Sequence, residues 1–442
     1  MTGRASSSAI TPPMSPARAR EIAETLDLRA LPPDFYANPY PVYAALREHE
    51  PAKRLPDGSY FLTRYRDLAA IYRDAQDFSS DKKVEFAPKY NHPPFGGDAS
   101  EAPLFQHHTT SLVFNDPPLH TRVRKLIMGA LTRRAIADME PGLVTLVDSL
   151  LDRIGQQGGG DLIEDFASAI PVEIIGNLLG VPHADRAPLR GWSLAILGAL
   201  EPRLTEAQEA LGNDSVREFT AYLRDLVADR RRSPGDPEHD VLTRLIQGER
   251  GAGGEQLDEA ELLQNCVFIL NAGHETTTNL IGNALVLLQE WPQALAGMQA
   301  LTGSAAPDWS ALEAPLTTAV DEFLRFESSN QLGNRRALQA CEIGGVPVEA
   351  GTLITLGIGA ANRDPAQFPD PDVVDIAREP NRHLAFGLGI HQCAGLSLAR
   401  LEGRVAIGRF LQRFPAYRLR EAPTRGGRAR FRGFLQAPFS VG

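Results

Sequence analysis

Apolar residues recur along most of the chain at intervals of three and four, the spacing of helices that bury one face. The longest such pattern, 259–289, is apolar almost all round and predicts a central buried helix. The stretches 188–200 and 205–232 predict two amphipathic helices joined at Glu201-Pro202. Asn115-Asp116-Pro117-Pro118 opens a further helix over 119–131, with proline just inside the first turn. Another covers 319–326, and one more follows Gly395. Alternating patterns are few. The runs 52–55 and 59–65 flank Asp57-Gly58 and predict a hairpin, and Ile343-Gly344-Gly345-Val346 reads as a turn beside a strand. The run 155–160 is expected to be a glycine-rich loop, and 83–112 a long irregular one. The fold class is therefore mainly α with small β-sheets.

Composition narrows the class. With 442 residues, 43% hydrophobic and 23% charged, the chain is ordinary globular protein. A net charge of −10 argues against general binding to nucleic acid or anionic membranes. No apolar run approaches the ~18 residues of a membrane helix. Three cysteines, Cys266, Cys341 and Cys393, are too few for a disulfide framework, so a reducing cytoplasm is expected. Residues 1–30, with Ser6, Ser7, Ser8, Pro12, Pro13 and Pro16, have no signal-peptide core and read as a flexible lead-in. Residues 31–442 then form a single domain.

Chemistry concentrates in two places. Within the central helix lies Ala272-Gly273-His274-Glu275-Thr276-Thr277. Glycine, a charged group and threonines are poor choices for a buried helix, and such local failures mark function. Thr276 can bond the carbonyl of Ala272 and open the helix there, while the small Ala272 and Gly273 leave room for a flat cofactor. Two other motifs fail. His274-Glu275 would begin a zinc HExxH but meets Thr278, and Gly387-Leu388-Gly389 would begin a dinucleotide fingerprint but meets Gln392. His274 reads as a packing residue, and the adjacent His107 and His108 do not make a metal site.

The second place is Cys393, in a glycine-rich turn just before an apolar helix. A helix terminus contributes only ~0.3–1 kcal/mol, too little to ionise a thiol that titrates near ~8.5, whereas a metal would deprotonate it. A cysteine alone could equally be buried and inert. The whole string, Phe386-Gly387-x-Gly389-x-His391-x-Cys393-x-Gly395, resembles the haem-binding loop of the cytochrome P450 family. The resemblance extends from about Asp34 onward and looks like the soluble bacterial type.

It implies a cytochrome P450-like fold around one haem b, with Cys393 as the axial thiolate and Phe386, Gly387 and Gly395 shaping its turn. Asp116-Pro117-Pro118-x-His120-x-Arg122-x-Arg124 resembles the motif in which His120 and Arg124 hold one propionate; Arg335 and His391 would hold the other. Glu322, Arg325 and Arg378 would brace the haem loop. Glu275 and Thr276 would deliver protons for oxygen activation. The implied function is a monooxygenase that hydroxylates, epoxidises or dealkylates a small, largely apolar substrate. Electrons would come from a separate ferredoxin or flavodoxin and its NAD(P)H-dependent reductase, docking on Arg122, Lys125, Arg400 and Arg404. A non-turnover haem-thiolate sensor and a member with atypical coupling or isomerase chemistry are the alternatives. The substrate walls are expected from 83–112, 188–232, Phe268, Asn271 and 328–334.

Overall fold

The computed structural model describes residues 14–93, 102–237, 240–248, 256–303 and 308–442. Its axis is the helix Glu259–Glu290. Asp258 starts that helix by accepting from Glu261 N at 2.8 Å, while Glu261 reaches back to Asp258 N at 2.9 Å. Such a reciprocal cap satisfies two amides that have no partner inside the helix. Beyond the cap most side chains are buried, including Leu270, Ile281 and Leu285, because helices surround it on all sides. Ala169–Leu179, Leu189–Gly198 and Leu396–Arg413 pack directly against it. Leu189–Gly198 and Glu206–Arg232 match the expected pair, the second opened by its own cap at Thr205 and Gln208.

The strands are short. Ala52–Arg54 and Tyr60–Leu62 form the expected antiparallel hairpin about Gly58, at φ 84°, and Tyr60–Leu62 continues in parallel onto Leu353–Gly357. Leu332–Ala337 and Phe78–Ser79 complete a five-stranded sheet. That sheet and the central helix enclose the large cavity described below. Among the described residues no helix is long and apolar enough to cross a membrane.

Three expectations are corrected. The helix Arg133–Gln157 runs through Gly155, ends at Gly158 with φ 71°, and is followed by the strand Gly159–Asp161, paired with Pro438–Ser440. A Cβ on Gly159 would lie 2.3 Å from the Phe439 carbonyl oxygen, so glycine there permits close strand approach. The lead-in contains a helix, Pro16–Thr25, capped by Ser15 and packed on Tyr40–His49. It buries Ala23, with Leu26 and Leu28 following, against Phe35 and Tyr43; residues 1–13 lie outside the described residues. The 83–112 segment holds two helices, Lys83–Phe86 and Pro103–Thr110, with 94–101 outside the described residues. Burial of Phe86, Leu104 and Phe105 explains the second correction of a loop to helix, since short apolar contacts override weak periodicity.

An aromatic knot closes the far end of the core. Phe410 lies 5.2 Å from Phe166, 5.0 Å from Tyr417 and 5.5 Å from Phe439 between ring centroids, and Tyr417 donates to Leu285 O at 2.6 Å. Phe410→Ala is expected to cost about 3–5 kcal/mol in denaturant unfolding. A midpoint unchanged from the parent would contradict this packing.

Candidate active site

The cysteine turn is shaped by two glycines at positive φ, Gly387 at 62° and Gly389 at 69°. At Gly389 the reason is also steric, since a Cβ would sit 2.1 Å from Tyr72 O. Cys393 N donates to Phe386 O at 2.8 Å, and Arg124 Nη2 ties down Gln392 O at 2.7 Å. The Arg400 guanidinium lies 5.1 Å over the Phe386 ring. Gly395 precedes the helix Leu396–Arg413, and a Cβ there would meet nothing within 4 Å. Burial pushes the Cys393 thiol up despite a Gly395 amide and the charges of Arg124 and Arg400. The turn alone therefore favours the thiol, and a metal bound at the sulfur would ionise it.

Cys393, Phe386, Gly387, His391 and Gly395 border a cavity with about 2050 Å³ of non-atom space, part of it open to solvent. Arg124 and Arg335 border the same space. His120 is buried behind it with both ring nitrogens unpartnered, its ring 4.1 Å from that of His391. Burial, then Arg124, pushes His120 down to about 4; burial, then Arg335, His120 and Arg124, pushes His391 down to about 2. Arg335 is buried, 5.1 Å over the Tyr72 ring, and donates to Asn334 O at 2.8 Å. The nearby Asp116 is already held by Ser79 Oγ at 2.5 Å and Ser80 N at 2.7 Å. The cluster is thus rich in donors and short of acceptors. Those donors fit the two carboxylates of a haem, and the cysteine fits its iron.

The central helix closes the other side. Phe268, Ile269, Ala272, Gly273 and Thr276 recur at three- and four-residue spacing and face the cavity, Ala272 being exposed to it. Thr276 Oγ1 donates to Ala272 O at 2.5 Å. The helix nevertheless runs unbroken from Glu259 to Glu290, so the hydroxyl shares the carbonyl without opening a turn. Gly273 also serves packing: a Cβ there would lie 2.6 Å from Ile175 Cδ1.

Glu275 does not share this face. It pairs with Arg428 at 2.6 Å and borders a second, smaller cavity with about 400 Å³ of non-atom space, part of it open to solvent. Around that cavity His274 Nδ1 and Nε2, Glu275 Oε2, Asn279 Nδ2 and Arg190 Nε have no protein partner. His274, expected to be a packing residue, is therefore also a polar cavity wall. Burial holds the Glu275 carboxyl up at about 7 against the opposing pull of Arg428.

Below the cysteine turn, Glu322 and Arg325 are fully buried and joined at 2.7 and 2.8 Å. Arg378 Nε and Asn381 Nδ2 each donate to Glu322 Oε2 at 3.1 Å. Arg325 spends all five donors, the remaining three on Asn362 O, Pro371 O and Val373 O. The expected brace is thus assembled, with Asn381 as an unforeseen member.

Three of the four residues expected to form the docking patch have acidic partners within the chain. Arg122 pairs with Glu261, Arg400 with Asp321 at 2.8 Å, and Arg404 with Glu140 at 2.8 Å, so these three charges are neutralised locally. Sequence reasoning also missed Lys82, which is buried at the cavity wall and paired with Glu85 at 2.7 Å. Arg430 borders the cavity and donates to Leu332 O at 3.0 Å and Leu200 O at 3.2 Å. Glu402, two turns into the helix after Cys393, is buried and pushed up to about 8. No local pattern announces Lys82 or Arg430; the glutamate, amid Leu398, Leu401 and Val405, was the visible exception on an apolar face.

A mainly helical chain with a cysteine turn and a threonine-bearing helix bordering one cavity, and donors at its rim, is suited to hold a flat, dianionic metal cofactor. A family model described as Cytochrome P450 matches residues 199–424. Cytochrome P450 107B1 of Saccharopolyspora erythraea is 36% identical over 411 residues, covering 90% of this chain and 93% of that protein. Epothilone C/D epoxidase of Sorangium cellulosum is 34% identical, covering 94% and 95%. The crystal structure of P450BioI with a hexadec-9Z-enoic acid ligated acyl carrier protein superposes with a TM-score of 0.82 at 31% identity, over 92% of this chain and 99% of that one. The chain belongs to the cytochrome P450 family and is an oxidoreductase of the monooxygenase type.

Glu275 gives a signed pH test. Its folded value, about 7, stands above the ordinary 4.5, so between those limits the folded state keeps a proton that the unfolded state has lost. Stability contributed by this group therefore falls as pH rises through that window and levels above it. Relative to Glu275→Gln, the parent is expected to lose about 1–3 kcal/mol between pH 4.5 and pH 7.5 in denaturant unfolding. A parent-to-variant difference independent of pH would rule out the raised carboxyl.

Proposed function

We propose that the chain binds haem b with Cys393 as the axial thiolate and oxidises a largely apolar organic substrate by hydroxylation, epoxidation or oxidative dealkylation. The observation that carries this reading is the placement of Cys393 and Thr276 on opposite walls of one cavity. When bound, haem supplies the reductive activation of molecular oxygen, aided by thiolate electron donation. His120, Arg124, Arg335 and His391 would hold its propionates, and Lys82 adds positive charge nearby. Phe386, Gly387, Ala272, Gly273 and Gly395 leave the slot for the ring.

Thr276 has given its hydroxyl proton to Ala272 O, so its oxygen lone pairs are available to hold a water in the cavity. Glu275, on an adjoining face of the helix, is suited to exchange a proton near neutral pH with water in the smaller cavity. Transfer between the two requires the Glu275–Arg428 contact to loosen, which makes Arg428 part of the route. The leucines, isoleucines and phenylalanines of the main cavity exclude water from the reacting atoms.

The substrate is proposed to be a medium-sized to large apolar molecule. The related proteins named for 6-deoxyerythronolide B, epothilone C/D and vitamin D(3) support that size class. Electrons are proposed to come from a separate ferredoxin or flavodoxin with its NAD(P)H-dependent reductase, in a cytoplasmic setting. With Arg122, Arg400 and Arg404 committed to acids of the chain, docking relies on shape more than on a free basic patch.

The test is turnover with a surrogate reductase and ferredoxin, measuring oxygen, reductant and product together. Thr276→Ala is expected to keep consuming reductant while product per reductant falls about tenfold. A fully coupled variant would remove Thr276 from proton delivery, and a parent with no oxygen-dependent product would refute the oxygenase reading.

A further inference from the structure

A haem would account for Arg124 and Arg335, but a third arginine borders the large cavity without a role in holding it. Arg430 lies in the loop before the strand Phe434–Gln436. Loss of hydration pushes its guanidinium down, the mark of a deep position, yet the residue keeps accessible surface. A deep side chain with surface to spare faces an internal space, here the cavity that it borders.

The hydrogen bonds of Arg430 all go to neutral acceptors. Nε donates to Leu200 O at 3.2 Å, Nη1 to Leu332 O at 3.0 Å and Nη2 to Asn334 Oδ1. These bonds use three of the five N–H groups and leave one on each terminal nitrogen. The nearby carboxylates are engaged elsewhere. Glu201 accepts from the Ala429 and Arg430 amides at 2.8 and 3.1 Å, and Glu85 pairs with Lys82 at 2.7 Å. Among the described ion pairs Arg325, Arg428 and Arg432 each have a glutamate partner, whereas Arg430 has none.

The tethers also place the charge. Leu200 follows the helix Leu189–Gly198, while Leu332 and Asn334 belong to the strand Leu332–Ala337, so the guanidinium sits where helix pair and sheet meet. The ionisable groups acting most strongly on it are Glu85, Glu201, Tyr72 and Tyr90; those acting on His391 are Arg335, His120, Arg124 and Lys82. Apolar Leu197, Leu332 and Phe431 border the same cavity. We infer that the substrate carries a carboxylate held by Arg430, with its apolar body along those three side chains, and that this arginine selects acids over their neutral counterparts. The guanidinium fork matches a carboxylate in shape as well as charge. A neutral ligand in its place strips water from the cation and returns no charge, so it binds less well.

This inference rests on the cavity being the substrate pocket of a haem monooxygenase, and its test separates the two claims. Octanoic, dodecanoic and hexadecanoic acids, ionised at neutral pH, and the primary amide of each are titrated into the haem-loaded protein, following the optical shift of the haem. In parallel the rise in thermal unfolding midpoint, which needs no haem signal, is recorded for each, together with haem content. The acid of at least one length is expected to bind about tenfold tighter than its amide. Arg430→Gln, which keeps a donor for the carbonyls but no charge, is expected to bring acid and amide together with amide affinity preserved. Arg430→Lys, which keeps the charge without the fork, is expected to cut the preference about threefold. Equal affinities in the parent at every length, failure to bind included, overturn the inference. So does a folded Arg430→Gln that weakens both ligands alike, which is a structural role, or one that loses haem and keeps the preference, which gives the arginine to the cofactor. A preference undiminished in Arg430→Lys overturns it as well, even where Arg430→Gln does not fold. An acid preference in the thermal midpoints of protein that takes up no haem, lost in Arg430→Gln, upholds the anchor and refutes the monooxygenase reading instead.

Discussion

Positive and donor groups crowd one side of the large cavity: Arg124 and Arg335, Lys82 near them, and the neighbouring rings of His120 and His391. Guanidinium groups in a partly dry space repel one another, and burial adds to the cost of each charge. The protein lowers that cost where it can, leaving both histidines neutral and pairing Lys82 with Glu85. It provides no carboxylate for Arg335 among the described ion pairs. A cofactor with two acidic arms would satisfy the cluster, and a metal at its centre would ionise a thiol that burial otherwise holds protonated. One molecule would answer both demands.

Buried carboxylates meet guanidinium groups at Glu322 and at Glu275, with opposite results. Glu322 takes two bonds from Arg325, one or more from Arg378, one from Asn381 and one from Asp375 N at 2.8 Å. Both Glu322 oxygens are thereby occupied, which is what holding a turn in place requires. Glu275 has one arginine and one oxygen without a partner, beside a cavity that admits water. Its carboxyl is accordingly held near neutrality, where proton transfer in either direction costs least. Saturation makes the first pair structural, and incompleteness makes the second suited to chemistry.

Much of this was legible in the sequence, for physical reasons. Helices with long periodic patterns and clear caps, such as Glu259–Glu290 and Glu206–Arg232, fall within a few residues of their expected limits. The cysteine turn and the threonine in the central helix were visible because each breaks a local rule. Short or locally ambiguous segments were not: Pro103–Thr110 is held by tertiary burial of Leu104 and Phe105, and Gly159 and Gly160 are explained by a strand far along the sequence, Gly160 pairing with Phe439 and Gly159 with Ser440. The face of Glu275 was likewise hidden. Adjacent residues on a helix point about 100° apart, so Glu275 and Thr276 could be neighbours in sequence yet border different cavities. Arg428, Arg430 and Lys82 come from segments without periodicity, and only the folded chain shows what they touch.

The most direct measurement is the optical spectrum of the haem-loaded protein, reduced and under carbon monoxide, for the parent and for Cys393→His. Thiolate and imidazole ligands donate differently to iron and give distinguishable carbon monoxide complexes. The parent is predicted to show the thiolate signature and Cys393→His the imidazole one, with haem still retained through Arg124 and Arg335. A parent spectrum of the imidazole type, or one that does not change when Cys393 is replaced, would contradict the account.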